Sequence, residues 1–153
     1  MTGSTRRKGR ELALQVLYQL EMSGGGLEQA LRNFADSFER SPKAREFGTA
    51  LARGVLARRE DIDGLIAGAS EHWRLERLSR IDANVIRIAV FEMTSDPPLP
   101  MEIAINEAIE VVKRYGTAES AAFVNGVLDE LAKRLGLERG HRARLRDRRS
   151  DVG

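Results

Sequence analysis

An all-α fold is predicted by three observations. Apolar residues recur at i, i+3, i+4 and i+7 along most of the chain, and no stretch alternates with the two-residue period of a half-buried strand. Aromatic residues are scarce at 5% while Ala and Leu abound, which favours helix over sheet. At 153 residues the chain is the size of one domain with a single core. The expectation is a bundle of about seven helices over residues 6–136, with residues 1–5 disordered and 137–153 a basic, mobile tail.

The first helix is expected from Arg6 to Ser23, with Ala13, Val16, Leu17 and Leu20 on one face and Leu14 and Tyr18 on its neighbour. Gly24, Gly25 and Gly26 form a loop, and Leu27, Ala30, Leu31, Phe34 and Phe38 mark a short second helix. Ser41 and Pro42 read as an N-cap followed by proline at the first helical position. One longer helix follows, its stripe running through Phe47, Leu51, Val55, Ile62 and Ile66, and Gly54 on that stripe reads as a close helix contact or a kink, the contact being favoured. Trp73 to Leu78 reads as a single turn. Ile81 to Met93 is apolar on nearly every side and is expected to be the buried central helix, where Arg87 needs a partner or a route to the surface. Asp82 near its start suits the positive end of the dipole. The segment Ser95–Pro98 ends it.

The stretch from Pro100 to Gly136 reads as two helices with a sharp joint. Ile105, Ala108, Ile109 and Val112 line the first, Gly116 stops it, and Thr117 is placed to cap the second. Val124, Val127, Leu128, Leu131 and Leu135 line the second, with Glu119 in its first turn. Asn106, Glu107, Phe123, Asn125 and Gly126 are left over by the core and become candidates for function.

The net charge of +2 hides a segregation. Arg6, Arg7, Lys8 and Arg10 stand without an acid in the first ten residues, and six arginines crowd the last sixteen. The body between holds 15 basic and 20 acidic residues, a net of −5. Basic ends on an acidic body fit a polyanion partner, though simple solvation of the termini accounts for them equally. Four cations in the first turn of a helix oppose its dipole, a cost better explained by a phosphate partner than by folding.

With no cysteine, neither a disulfide framework nor a thiolate metal site is available. No apolar run reaches a membrane span and no apolar stretch follows the charged N-terminus, so a cytoplasmic protein without a membrane role is expected. Marks of an enzyme are few: there is no phosphate-cradling glycine loop, no HExxH and no GxSxG. His72 and His141 fall in a loop and a tail, poor places for a held general base. Asp61 with Asp63 and Asp129 with Glu130 read as solvated helix faces, and inter-helix hydrogen bonding explains Glu107 and Glu110 better than catalysis. The chain is not expected to be an enzyme or to carry a cofactor.

Four segments taken together, RRKGRELALQVLYQLE (Arg6–Glu21), IDANVIRIAVFEM (Ile81–Met93), AINEAIEVVKRYG (Ala104–Gly116) and FVNGVLD (Phe123–Asp129), resemble the NusB family of bacterial transcription antitermination factors. The helical domain of some ribosomal-RNA cytosine methyltransferases is similar over the latter half, but the arginine-rich start favours the NusB family. The resemblance implies two helical sub-bundles, three helices then four. It implies binding to boxA single-stranded RNA of ribosomal-RNA leader transcripts jointly with NusE, a small-subunit ribosomal protein, within an antiterminating RNA polymerase complex. It carries RNA contact onto Arg6, Arg7, Lys8, Arg10, Tyr18, Glu119 and Phe123, and contact with NusE onto Asp82, with Glu76, Arg77 and Arg87 beside it. The sequence has Lys8 and Gly9 where arginine and alanine are more usual, and Gly9 lowers helix propensity by ~1 kcal/mol relative to Ala. Stacking on Tyr18 and Phe123 with cations on the backbone is how single-stranded RNA is held. The rival reading is a helical protein adaptor or a homodimer without an RNA role.

Overall fold

The computed structural model of the chain describes residues 3–38, 41–69 and 78–137. Seven helices and no strand are found among them: α1 (Gly3–Ser23), α2 (Leu27–Phe38), α3 (Pro42–Ala57), α4 (Arg59–Ala69), α5 (Arg80–Thr94), α6 (Met101–Tyr115) and α7 (Ser120–Arg134). Helices α1 to α3 pack on one another, as do α4 to α7, and α1 and α5 join the two groups. The expected arrangement of three helices and then four is therefore present, reached by a different division of the chain. The single long helix expected after Pro42 is two helices, broken at Arg58 (φ −110°, ψ 18°), whose N–H donates to the carbonyls of both Gly54 and Leu56. The apolar stripe continues across the break, with Val55 and Ile62 both buried, so its period gave no sign of the turn. The turn expected from Trp73 to Leu78 lies outside the described residues except for Leu78.

Helix α5 is the axis of the second group. Ten of its residues are buried, Arg87 among them, as a helix apolar on all sides requires. Ser79 caps it, accepting from the Asp82 N–H at 3.0 Å. Ser41 caps α3 in the same way, accepting from the Ala44 N–H, with Pro42 following. The joint before α7 is built differently from the expected threonine cap. The helix starts at Ser120, and the buried Ser120 Oγ accepts from the Thr117 N–H at 3.0 Å. Thr117 is thus the donor that closes the turn.

Helix α1 starts at Gly3, ahead of the expected Arg6, and lies closest to α3. Gly9, an apparent defect in a helix, is buried in this crossing. A Cβ on Gly9 would stand 2.6 Å from Phe47 Cδ1 and 3.0 Å from the Ala44 carbonyl oxygen, and one on Gly48 would stand 2.5 Å from the Gly9 carbonyl oxygen. The two glycines bring the backbones together at a separation no other residue permits. Gly54 does the same for α3 on α5, where its missing Cβ leaves room for the Phe91 ring. Gly48→Ala should therefore destabilise the chain by about 1–3 kcal/mol through overpacking. Gly64→Ala, on α4 with nothing within 4 Å of the added carbon, should stabilise it by about 0.5–1 kcal/mol. Urea melts of the two variants check the contrast in sign.

Candidate nucleic-acid interface

The first three turns of α1 sort the four cations by environment. Arg6 and Lys8 are exposed, Arg7 is half-buried, and Arg10 is 4% exposed. The α1 register decides this, since the turn that brings Gly9 against α3 swings Arg10 inward beside Phe47, its guanidinium 5.4 Å from the ring centroid. Glu92 of α5 receives Arg10 in a fork, Nε donating to Oε1 at 2.7 Å and Nη2 to Oε2 at 2.8 Å. Glu107 of α6 receives Arg7 in another, at 3.0 and 3.2 Å, and its Oε2 stands 3.6 Å from Arg10 Nη1. One turn on, buried Glu11 accepts from Arg114 of α6. The Arg7 guanidinium is held above its ordinary pKa, chiefly by the hydrogen bonds it donates to Glu107 and then by the Glu107 charge. Burial, followed by the Glu11 charge, pushes the Tyr115 phenol up, against the opposing influence of Arg114 and a hydrogen bond with Gln15.

The expectation that the basic turn is an uncompensated cost to folding is corrected by these contacts. No acid stands in the first turn of α1 itself, but α5 and α6 bring Glu92 and Glu107 against it. Arg10, offered above as an RNA contact, has its charge turned into the protein. The inter-helix hydrogen bonding expected for Glu107 is present, with Arg7 as its donor; sequence reasoning missed Glu92. The available signal was Glu92 inside an otherwise apolar helix, since a charge there has to be paired. Beside Arg6 a groove of about 410 Å³ opens, its walls including Phe47, Phe91, Pro97 and Pro98.

Of the other candidates, Tyr18 on α1 and Phe123 on α7 are half-buried, Phe123 packing against the core, and Glu119 is exposed at the N-cap position of α7. Helix α6 packs on both α1 and α7 and so links these surfaces. At the other end of α5, Asp82 is 9% exposed and its Oδ1 has no hydrogen-bond partner among the described residues. Arg87 is 7% exposed and donates four hydrogen bonds: Asp63 takes Nε and Nη2 at 2.7 and 3.2 Å, while Glu21 and Asn84 take Nη1 at 2.7 and 3.1 Å. The need for a partner inferred for Arg87 is met within the chain. Glu76 and Arg77 lie outside the described residues. Among the described residues no helix is long and apolar enough to cross a membrane, and no cluster of acidic and histidine side chains could hold a metal ion.

A family model, that of the NusB family, matches residues 7–133. The chain belongs to the NusB family. It is 48% identical over 131 residues to the transcription antitermination protein NusB of Myxococcus xanthus, a match covering 83% of this chain and 94% of that one. It is 47% identical over 126 residues to that of Trichlorobacter lovleyi, covering 82% and 89%. Among solved structures, T. maritima NusB superposes with a TM-score of 0.73 at 40% identity, over 84% of this chain and 90% of that one. A NusB in a crystal structure of antitermination factors NusB and NusE with double-stranded RNA superposes at 0.76 over 86% of this chain and 98% of that one; at 22% identity it speaks for the fold alone. The groups of three and four helices that the resemblance implied are present in this chain.

Arg10→Ala should leave the part-buried Glu92 without its fork and so destabilise the fold, by less than the about 3–5 kcal/mol of a fully buried pair. Arg6→Ala and Lys8→Ala should leave the denaturation midpoint where it is. Thermal melts of the three variants, monitored by circular dichroism, test this division within one basic cluster.

Proposed function

We propose that the chain is an RNA-binding transcription antitermination factor that acts without catalysis. It binds boxA-type single-stranded RNA of ribosomal-RNA leader transcripts together with NusE, and with it enters a termination-resistant RNA polymerase complex in the cytoplasm. Membership of the NusB family carries this reading. A solved structure with the same fold holds antitermination factors NusB and NusE with double-stranded RNA, which supports NusE and RNA as kinds of partner. Arg6 and Lys8, exposed on the first turns of α1, supply cations for a phosphate backbone, with Arg7 beside them. Tyr18 and Phe123 offer partly exposed rings for bases, and Glu119 a carboxylate for a base amino group. In this reading Arg10 serves the fold and reaches RNA only by holding α1 in place.

Titration of a boxA-like single strand, alone and with NusE, tests the reading. Tighter binding in the presence of NusE is expected, and no binding in either case would sink it. Phe123→Ala should lose less stability than the about 3–5 kcal/mol of a fully buried phenylalanine. Its RNA affinity should fall by about 1–3 kcal/mol per stacked base, while Phe123→Tyr keeps most of it. A core-sized stability loss with unchanged affinity per folded molecule would make Phe123 a packing residue.

The first turn of α5 is the proposed NusE face. Asp82 supports it, because a carboxylate oxygen buried without a partner among the described residues is costly unless a donor meets it. Asp82→Asn keeps the side chain's size and removes its charge. It should weaken NusE binding in calorimetry while RNA binding by the isolated chain stays near wild type. Wild-type NusE affinity in the folded variant would count against this face.

A further inference from the structure

A guanidinium has two edges on which a bidentate fork can form, Nε with Nη2 and Nη1 with Nη2. In Arg10 the first is forked on Glu92, and on the second Nη1 stands 3.6 Å from Glu107, an ion pair without a fork. Arg7 differs. Glu107 takes its Nε edge, and the Nη1 edge has no hydrogen-bond partner among the described residues. The Arg7 side chain is 43% exposed while Glu107 is 17% exposed, so the carboxylate lies on the protein side of the pair. Glu107 is itself steadied by Arg10, whose guanidinium is fixed on Glu92. The chain of contacts runs from α5 through Arg10 to Glu107 and ends on Arg7.

We propose that Glu107 is a positioning residue for RNA: it grips Arg7 by the Nε edge and presents the Nη1/Nη2 edge to one phosphate of the bound strand. The inference rests on the RNA-binding reading above and adds a residue and an atom-level role to it. An arginine free at the surface must give up rotamer freedom to meet a phosphate, whereas one already held on a carboxylate has given it up on folding. Glu107 also neutralises Arg7 at a distance, so long-range attraction is left to Arg6 and Lys8. The opposite role, a carboxylate that competes with phosphate for Arg7, predicts the opposite sign on removal. The planar edge fits phosphate oxygens, and the salt dependence of binding separates a phosphate from a base edge.

The test is titration of a boxA-like single strand by the full chain across a salt series, for wild type, Arg7→Ala, Glu107→Ala and the double variant, with folding checked by circular dichroism. Each single variant should bind several-fold more weakly and flatten the plot of log affinity against log salt by about 0.7, one phosphate contact on a single strand. The double variant should bind no more weakly than Arg7→Ala. Tighter binding by Glu107→Ala makes Glu107 a competitor and overturns the proposal. An equal loss on removing Glu107 from the Arg7→Ala background shows that it acts through another group and also overturns it. A loss with the salt slope unchanged assigns Arg7 to a base edge and removes the phosphate. Should Glu107→Ala fail to fold, Glu107→Gln replaces it, and its effect should vanish in the Arg7→Lys background, where charge remains but the fork is lost. Absence of RNA binding by the wild-type chain overturns the RNA reading and this inference with it. Binding that ignores Glu107 overturns the inference alone.

Discussion

The Arg10–Glu92 pair, with its reach to Glu107, ties the first helix to the centre of the second group. Desolvating two charges is unfavourable, and a buried pair persists only when its geometry is good and its remaining hydrogen-bonding capacity is met. Here the geometry is good, since the fork is short at both bonds, and the ring of Phe47 and the Glu107 carboxylate add favourable contacts to the guanidinium. A shift of α1 by one residue along its axis would pull the fork apart and leave the part-buried Glu92 without its partner. The pair thus sets the register of α1 as well as contributing to its attachment. Everything exposed on the first turns of α1, Arg6 and Lys8 above all, is aimed by that register.

Close backbone approach makes the pair possible. Gly9 and Gly48 let α1 lie on α3 at a distance that brings Arg10 within reach of α5. A residue that weakens an isolated helix therefore strengthens the assembled one, because helix propensity is a small term beside tertiary packing. The second group has its own counterpart at Arg87, where Asp63, Glu21 and Asn84 from three helices converge on one guanidinium. Glu21 belongs to α1, so both buried arginines join the two groups of helices. The bundle halves are held in register both by close-packed apolar contact and by two arginine clusters.

The two clusters also divide the molecule's surface. Arg10 anchors the end of α5 near the N-terminus of α1, beside the proposed RNA face. Arg87 lies one turn beyond Asp82, beside the proposed NusE face. Each face thus rests on a buried ionic cluster that fixes the elements carrying it, which is how a binding surface keeps its geometry without a ligand.

The sequence by itself determined the all-α class, the buried character of α5, the caps at Ser41 and Gly116, and the family to which the four segments point. These are legible because they are local: a 3.6-residue period, a capping side chain and a short motif are complete within one segment. It also marked Gly54 as a close contact, since a glycine on an apolar stripe has few other uses. Tertiary structure alone decided the break at Arg58, because the apolar stripe runs unaltered through it. It alone decided the fate of the basic turn, because the carboxylate that receives Arg7 lies 100 residues further along the chain and the one that receives Arg10 lies 82 residues further. Four cations of one composition became two exposed, one held at the surface and one buried, and that partition follows from which face of α1 meets which helix. Residue type is written in the sequence; solvent access and pairing across such separations are properties of the packed molecule.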